Sequence, residues 1–123
     1  MPSQLHDLNG IRVLELDSSG APIGNCRDAL DLIGEAATNK ADMVAVPLER
    51  LTPGFFDLKT RAAGEMIQKF STYGVRLAIV GDVSNAVESS SAFRDFVRES
   101  NRGTTIWFVE NFESLKRRLL SAP

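Results

Sequence analysis

The stretch VRLAIV, residues 75–80, decides the fold class of this chain. Its apolar residues do not alternate with polar ones, and Gly74 and Gly81 bound the run. Such a run is typical of a strand that is covered on both faces of a parallel sheet. Three more segments predict strands, namely IRVLEL at 11–16, MVAVPL at 43–48 and TTIWFV at 104–109. Because Pro47 has no N–H to donate, pairing is expected to stop near Val46.

Amphipathic helices are predicted between these strands. The first runs from Asn25, a cap paired with Asp28, to about Lys40. The second begins at Thr52–Pro53, or at the competing start Asp57, and ends at Gly74. The third runs from the serines at 89–91 to Gly103, and the fourth begins at Asn111. Strand and helix therefore alternate four times. The pattern predicts one α/β domain over residues 11–120, a sandwich of about four mainly parallel strands with helices packed on it. Residues 1–10 are expected to be a flexible leader in which His6 is a mobile surface residue.

Composition excludes several classes of protein. A net charge of -2 argues against a nucleic-acid partner, which normally needs a basic patch. The single cysteine, Cys26, allows no intramolecular disulfide, and no apolar run is long enough to span a bilayer, so a cytoplasmic location without membrane contact is expected. One histidine and one cysteine cannot build a zinc site, and no phosphate-loop or dinucleotide signature is present, so no cofactor is expected.

An acidic residue follows each predicted strand. These residues are Asp17, Glu49, Asp82 and Glu110. Because the carboxyl ends of parallel neighbours meet at one edge of a sheet, some of these carboxylates are expected to meet there, as a Mg²⁺ site requires. Acidic residues are also common at loop starts and helix N-termini, where they need no ligand. The sequence does not determine the strand order, which decides which of these carboxylates are neighbours. A small enzyme, or a nucleotide- or Mg²⁺-binding protein using these acids, is the alternative hypothesis.

The segment RESNRG, residues 98–103, is the stronger candidate for recognition. Arginine guanidinium groups bind carboxylates or phosphates in a bidentate way, so Arg98, Asn101 and Arg102 are candidate binding residues. Asp82 and Ser84, in the loop after the strand at 75–80, complete the candidate set. The alternative is a solvated C-terminal turn of a helix that Gly103 ends.

Three consecutive serines, Ser89, Ser90 and Ser91, precede that helix. They could hold an anion or accept a phosphate, because a helix N-terminus presents free amides. Alternatively, one serine caps the helix and the others lie in the turn. The neighbouring acidic residues Asp82 and Glu88 favour the capping interpretation.

Several segments of this chain resemble a known family. QKF at 68–70, IVGD at 79–82, RDFVRESNRG at 94–103 and FV at 108–109 are similar to the small bacterial domain-of-unknown-function family numbered 4180. The likeness extends from about Val13 to Leu119. It implies kinship and a bacterial source, but no established activity.

A more distant likeness is to STAS domains, the anti-sigma-factor antagonists and their relatives. Their signature helix, with its Asp-Ser-Ser-Gly type motif, would correspond to Val44–Gly74, with Asp57 near the helix start and Thr60 as the nearest hydroxyl. Leu58, Lys59 and Thr60 stand where that family has its paired serines and glycine. The resemblance implies Asp57 and Thr60 as switch residues.

The sequence therefore predicts a non-catalytic, cytoplasmic, STAS-like binding or regulatory module that acts through a protein partner. A second copy of the chain is one candidate for that partner.

Overall fold

The computed structural model describes residues 3–56 and 61–121, which form a five-stranded sheet with five α-helices. The strands are β1 (Ser3–Leu8), β2 (Ile11–Leu16), β3 (Met43–Pro47), β4 (Arg76–Val80) and β5 (Ile106–Val109). The helices are α1 (Cys26–Thr38), α2 (Ala62–Thr72), α3 (Ser84–Ser89), α4 (Ser91–Arg102) and α5 (Phe112–Leu120), with short 3-10 turns at Leu48–Arg50 and Pro53–Phe56.

The strands lie in chain order across the sheet, and β2 to β5 are parallel. The predicted α/β class, with about four parallel strands, is confirmed. Pairing of β3 with β4 continues to Pro47, which lies opposite Val80, one residue beyond the expected stop. The register with β2 ends at Ala45, so Pro47 has a strand partner on one side only, a position at which proline is tolerated.

The prediction of a flexible leader is wrong for the residues that the structure describes. Ser3–Leu8 is a strand that pairs antiparallel with all of β2. The two strands are joined by Asn9–Gly10, whose φ angles of 57° and 84° are those of a type I′ turn. An Asn-Gly pair is a strong hairpin signal, and the sequence interpretation overlooked it.

The three crossover connections cover one face of the sheet. Buried side chains of α1, α2 and α4, among them Ala36, Phe70 and Phe93, pack against Leu14, Val44 and Leu77 on that face. On the opposite face Leu115 and Leu119 of α5 pack against the other residues of the same strands, including Val13, Met43 and Ala78. Parallel strands in sequential order place successive crossovers of one hand on one face, so the last helix alone covers the other.

Helix starts were predicted in part. Asn25 accepts a hydrogen bond from the Asp28 amide, and Asn111 accepts one from the Ser114 amide, so both predicted caps are confirmed. The segment after Thr52 instead forms a 3-10 turn, and α2 begins at Ala62. The competing start, Asp57, lies outside the described residues.

Candidate functional site

A cleft of about 500 Å³ opens where the parallel strands end. Its lining comes from β1, from α5 and from the carboxyl ends of β2 to β5: Gln4, Glu15, Leu16, Asp17, Ser18, Pro47, Glu49, Val80, Gly81, Glu110, Asn111 and Phe112. This edge is the usual ligand surface of a parallel α/β sheet. The cleft is therefore the best candidate site in the described part of the chain.

Three of the four strand-end acids, Asp17, Glu49 and Glu110, line this cleft. No salt bridge engages any of the three among residues 3–56 and 61–121. The Asp17 carboxylate accepts hydrogen bonds from the backbone N–H and the hydroxyl of Ser19, each at 3.0 Å. These two bonds, with a smaller contribution from the Arg50 charge, lower the pKa of Asp17 and keep it ionised.

Asp82 and Ser84 do not join the cleft lining but form a local turn. Asp82 Oδ1 accepts a hydrogen bond of 2.9 Å from the Ser84 amide at the start of α3. That backbone bond is the main cause of the lowered pKa of Asp82. The Asp82 carboxylate therefore binds the start of α3 and does not join the predicted cluster of strand-end acids.

A metal centre is not assembled by the described side chains. In residues 3–56 and 61–121, no three histidine, cysteine or acidic residues lie close enough together to hold a metal ion. Asp17, Glu49 and Glu110 line one cleft, as the topology suggests, but they are not clustered as metal ligands, and Asp82 lies outside the lining. The hypothesis of a Mg²⁺ site built from Asp17, Glu49, Asp82 and Glu110 gains no support from this geometry.

Close packing of Gly81 against Leu48 lies next to the cleft. Gly81 follows β4 with a φ of 153°, and a Cβ there would overlap Leu48 Cβ in the turn after β3. Only glycine lets the two strand ends approach this closely. Gly81 therefore fixes the relative position of the loops that line the cleft.

Arg50 holds the loop after β2 in place. Its Nε donates to the Ala21 carbonyl at 3.0 Å, and its Nη1 donates to the Asp17 carbonyl at 3.3 Å. The backbone adds Ile23 N–H to Arg50 O at 2.6 Å, as part of a parallel bridge between Ile23 and Leu51. Sequence reasoning missed Arg50, because no local pattern indicates which loop a charged side chain will contact.

His6 lies beside the cleft rather than in a mobile leader. Its Nε2 is 2.9 Å from Glu15 Oε1, and its ring is 4.7 Å from that of Phe112, at an interplanar angle of 45°. Glu15 and Phe112 both line the cleft. The prediction of a mobile His6 is therefore wrong, because pairing of β1 with β2 brings this side chain to the start of α5.

The recognition candidates in RESNRG separate into two kinds. Arg98 pairs with Asp95, and Arg102 pairs with Glu99, both at 3.6 Å on the exposed face of α4. Asn101 is half-buried, and its Oδ1 accepts a hydrogen bond of 2.7 Å from the Phe108 amide in β5. Asn101 therefore links α4 to the edge strand, while the two arginines remain on the surface.

Arg76 and Arg118 stack on the Trp107 ring next to this contact between α4 and β5. The guanidinium of Arg118, on α5, lies 3.7 Å from the centre of the Trp107 ring, and that of Arg76 lies 4.6 Å away. Arg118 donates to the Asn101 carbonyl, Trp107 to the Gly103 carbonyl and Arg76 to the Thr104 carbonyl. Because they are partly desolvated, both arginines have lowered pKa values. The stack satisfies carbonyls at the C-terminal end of α4.

One of the three serines caps α4. Ser90 Oγ accepts a hydrogen bond of 3.1 Å from the Phe93 amide, and Ser89 Oγ donates to the Asn85 carbonyl. Ser91 is the first residue of α4. The predicted serine cap is confirmed at Ser90, but the other two serines lie in helices α3 and α4 and not in the turn.

The tentative site residues thus lie at opposite ends of the sheet. Asp82 and Ser84 follow the carboxyl end of β4, whereas Arg98, Asn101 and Arg102 precede the amino end of β5. The proposed switch residues Asp57 and Thr60 lie outside the described residues. No helix in the described ranges is long and apolar enough to cross a bilayer.

Fold and cleft define a small α/β protein with a partly parallel sheet and an acid-lined cleft at its carboxyl edge. The family model of a domain of unknown function, DUF4180, matches residues 8–119, so the chain belongs to that family. No curated protein and no solved structure matched the chain.

Proposed function

We propose that this protein is a non-catalytic binding or regulatory module whose cleft receives a basic segment of a protein partner. The observation that carries the proposal is the cleft itself, a concave surface built by the ends of four parallel strands. Asp17, Glu49 and Glu110 give its rim a negative charge that no basic side chain of the described chain neutralises through a salt bridge. Lysine and arginine side chains complement such a rim.

We extend this proposal to a STAS-like regulator in the bacterial cytoplasm. The supporting features are the order of β3 and α2 within residues 44–74 and the late strand β5 that precedes a final helix. A small enzyme or a nucleotide- or Mg²⁺-binding protein is the second candidate, because three strand-end carboxylates share the cleft.

Site-specific photo-crosslinking in the native host tests the proposal. A photoreactive amino acid replaces Glu49 at the cleft or, as the control, the exposed Glu35 on α1, which lies on the helix-covered face. We expect a discrete protein adduct from position 49 that is absent from position 35. The adduct should disappear when Glu110→Lys is added, because the reversed charge repels a basic segment.

Thermal unfolding with Mg²⁺, Mn²⁺ and nucleotides separates the two candidates. A ligand that binds the folded state raises Tm by mass action. The binding-module proposal predicts no rise with any of these ligands. A rise that Glu49→Gln abolishes, together with no adduct at position 49, would replace the module by the second candidate.

A further inference from the structure

The two edges of the sheet differ in how their backbone groups are satisfied. At the β5 edge the Phe108 amide donates to Asn101 Oδ1, so a side chain from α4 occupies that edge. At the β1 edge, among the described residues, no hydrogen bond from another segment reaches the backbone of Leu5 or Asp7. A strand edge of this kind can pair with another strand.

The hairpin fixes which groups of β1 point outward. In a two-residue turn the flanking residues, Leu8 and Ile11, form the hydrogen-bonded pair that closes the hairpin. Because hydrogen-bonded residues alternate in an antiparallel pair, the backbones of Gln4 and His6 also face β2. The N–H and C=O groups of Ser3, Leu5 and Asp7 therefore point away from the sheet.

This outward set is symmetric about Leu5. We propose that the β1 edge pairs antiparallel with β1 of a second copy of this chain, on a twofold axis at Leu5, to form a continuous sheet through two molecules. Leu5 then lies opposite Leu5 of the second copy, and Ser3 lies opposite Asp7. Each pair can exchange main-chain hydrogen bonds in both directions.

Side-chain chemistry supports a second copy as the occupant. Leu5, at the centre of the edge, is 41% exposed, and the twofold axis brings two such leucines together on the face that α1 partly covers. On the other face Gln4 lies opposite His6 of the second copy, and both carry hydrogen-bonding groups. In this register no like charges are opposed. The strand also lacks the lysine or proline that commonly protects an edge.

Sedimentation velocity over a concentration series tests the proposal. The wild-type protein is expected to pass from monomer to dimer as its concentration rises, because one strand pair makes a small interface. Leu5→Lys places two ammonium groups face to face on the axis and should raise the dimer dissociation constant at least 10-fold. The matched control is Leu30→Lys on α1, which changes the same residue type at the same 41% exposure and should dimerise like the wild type.

A crosslink tests the register. In a Cys26→Ser background, Leu5→Cys should form a symmetric disulfide under mild oxidation, since paired Cα atoms lie about 5.5 Å apart in such a ladder. Leu30→Cys should not. Circular dichroism of each variant establishes that it is folded. A wild-type protein that stays monomeric to millimolar concentration, or a dimer that Leu5→Lys leaves intact, would overturn the proposal.

Discussion

Asn101→Ala should destabilise the fold, although the residue occupies a helix surface in a segment rich in charge. Its Oδ1 accepts the Phe108 amide at 2.7 Å, and Phe108 is 7% exposed. A buried amide left without an acceptor costs about 1–3 kcal/mol. Alanine recovers about 0.5 kcal/mol through its higher helix propensity. We therefore expect a net loss of about 0.5–2.5 kcal/mol.

The same loss can be expressed as a change in melting temperature. With an unfolding entropy of about 2 cal/mol/K per residue, a chain of 123 residues loses roughly 4 °C in Tm for each kcal/mol. Asn101→Ala should therefore lower Tm by about 2–10 °C. The single tryptophan, Trp107, is buried next to Phe108 in β5 and reports unfolding by fluorescence in urea.

Two variants isolate the cause. Arg102→Ala, one residue along α4, removes only an exposed ion pair of 3.6 Å and should cost less than about 0.5 kcal/mol. Asn101→Asp keeps an acceptor oxygen for the Phe108 amide and should retain most of the wild-type stability. Hydrogen exchange of the Phe108 amide should accelerate in Asn101→Ala. Equal stability of Asn101→Ala and Arg102→Ala, within about 0.3 kcal/mol, would refute the assigned role of Asn101.

Other substitutions test other parts of the structure. Gly81→Ala should destabilise by at least about 2 kcal/mol in urea unfolding because its Cβ overlaps Leu48, whereas Gly64→Ala, in open space on α2, should stabilise by about 0.5–1 kcal/mol. Phe93→Ala removes a fully buried ring and should cost about 3–5 kcal/mol in the same assay. The pKa of Asp82 lies below its usual 3.8, so its contribution is present above pH 3.8 and lost as pH falls through the folded pKa. Asp82→Asn should therefore be less stable than wild type at pH 6, and the difference should shrink as the pH falls below 3.8.

Local pattern was enough to predict the parallel part of the sheet. Continuous apolar runs such as 75–80 mark strands that are buried on both faces, and their bounds follow from glycine and proline. The hairpin strand was missed because four of the six residues of SQLHDL are polar and its two leucines lie three residues apart, so it lacks the alternation of a strand. Asn9–Gly10 carried the signal, since both residues adopt positive φ.

Prediction of the site depended on contacts between distant segments. The shared edge of parallel strands correctly predicted that some strand-end acids would meet, and Asp17, Glu49 and Glu110 line one cleft. Asp82 does not line the cleft, and its carboxylate instead accepts a hydrogen bond from the Ser84 amide two residues along the chain. The Arg50 contacts reach back about 30 residues to a loop, and no periodicity in the sequence encodes such a contact.

The segment that most closely resembles the family acts mainly in folding. Phe93 fills the core and Asn101 holds β5, while the Gly103 carbonyl receives the Trp107 indole N–H. The first two contacts explain the phenylalanine and the asparagine without any ligand. The described contacts of this segment therefore join α4, β5 and α5 and identify no binding partner. Experiments on function should begin at the carboxyl-edge cleft, where the carboxylates of Glu49 and Glu110 have no structural role among the described contacts.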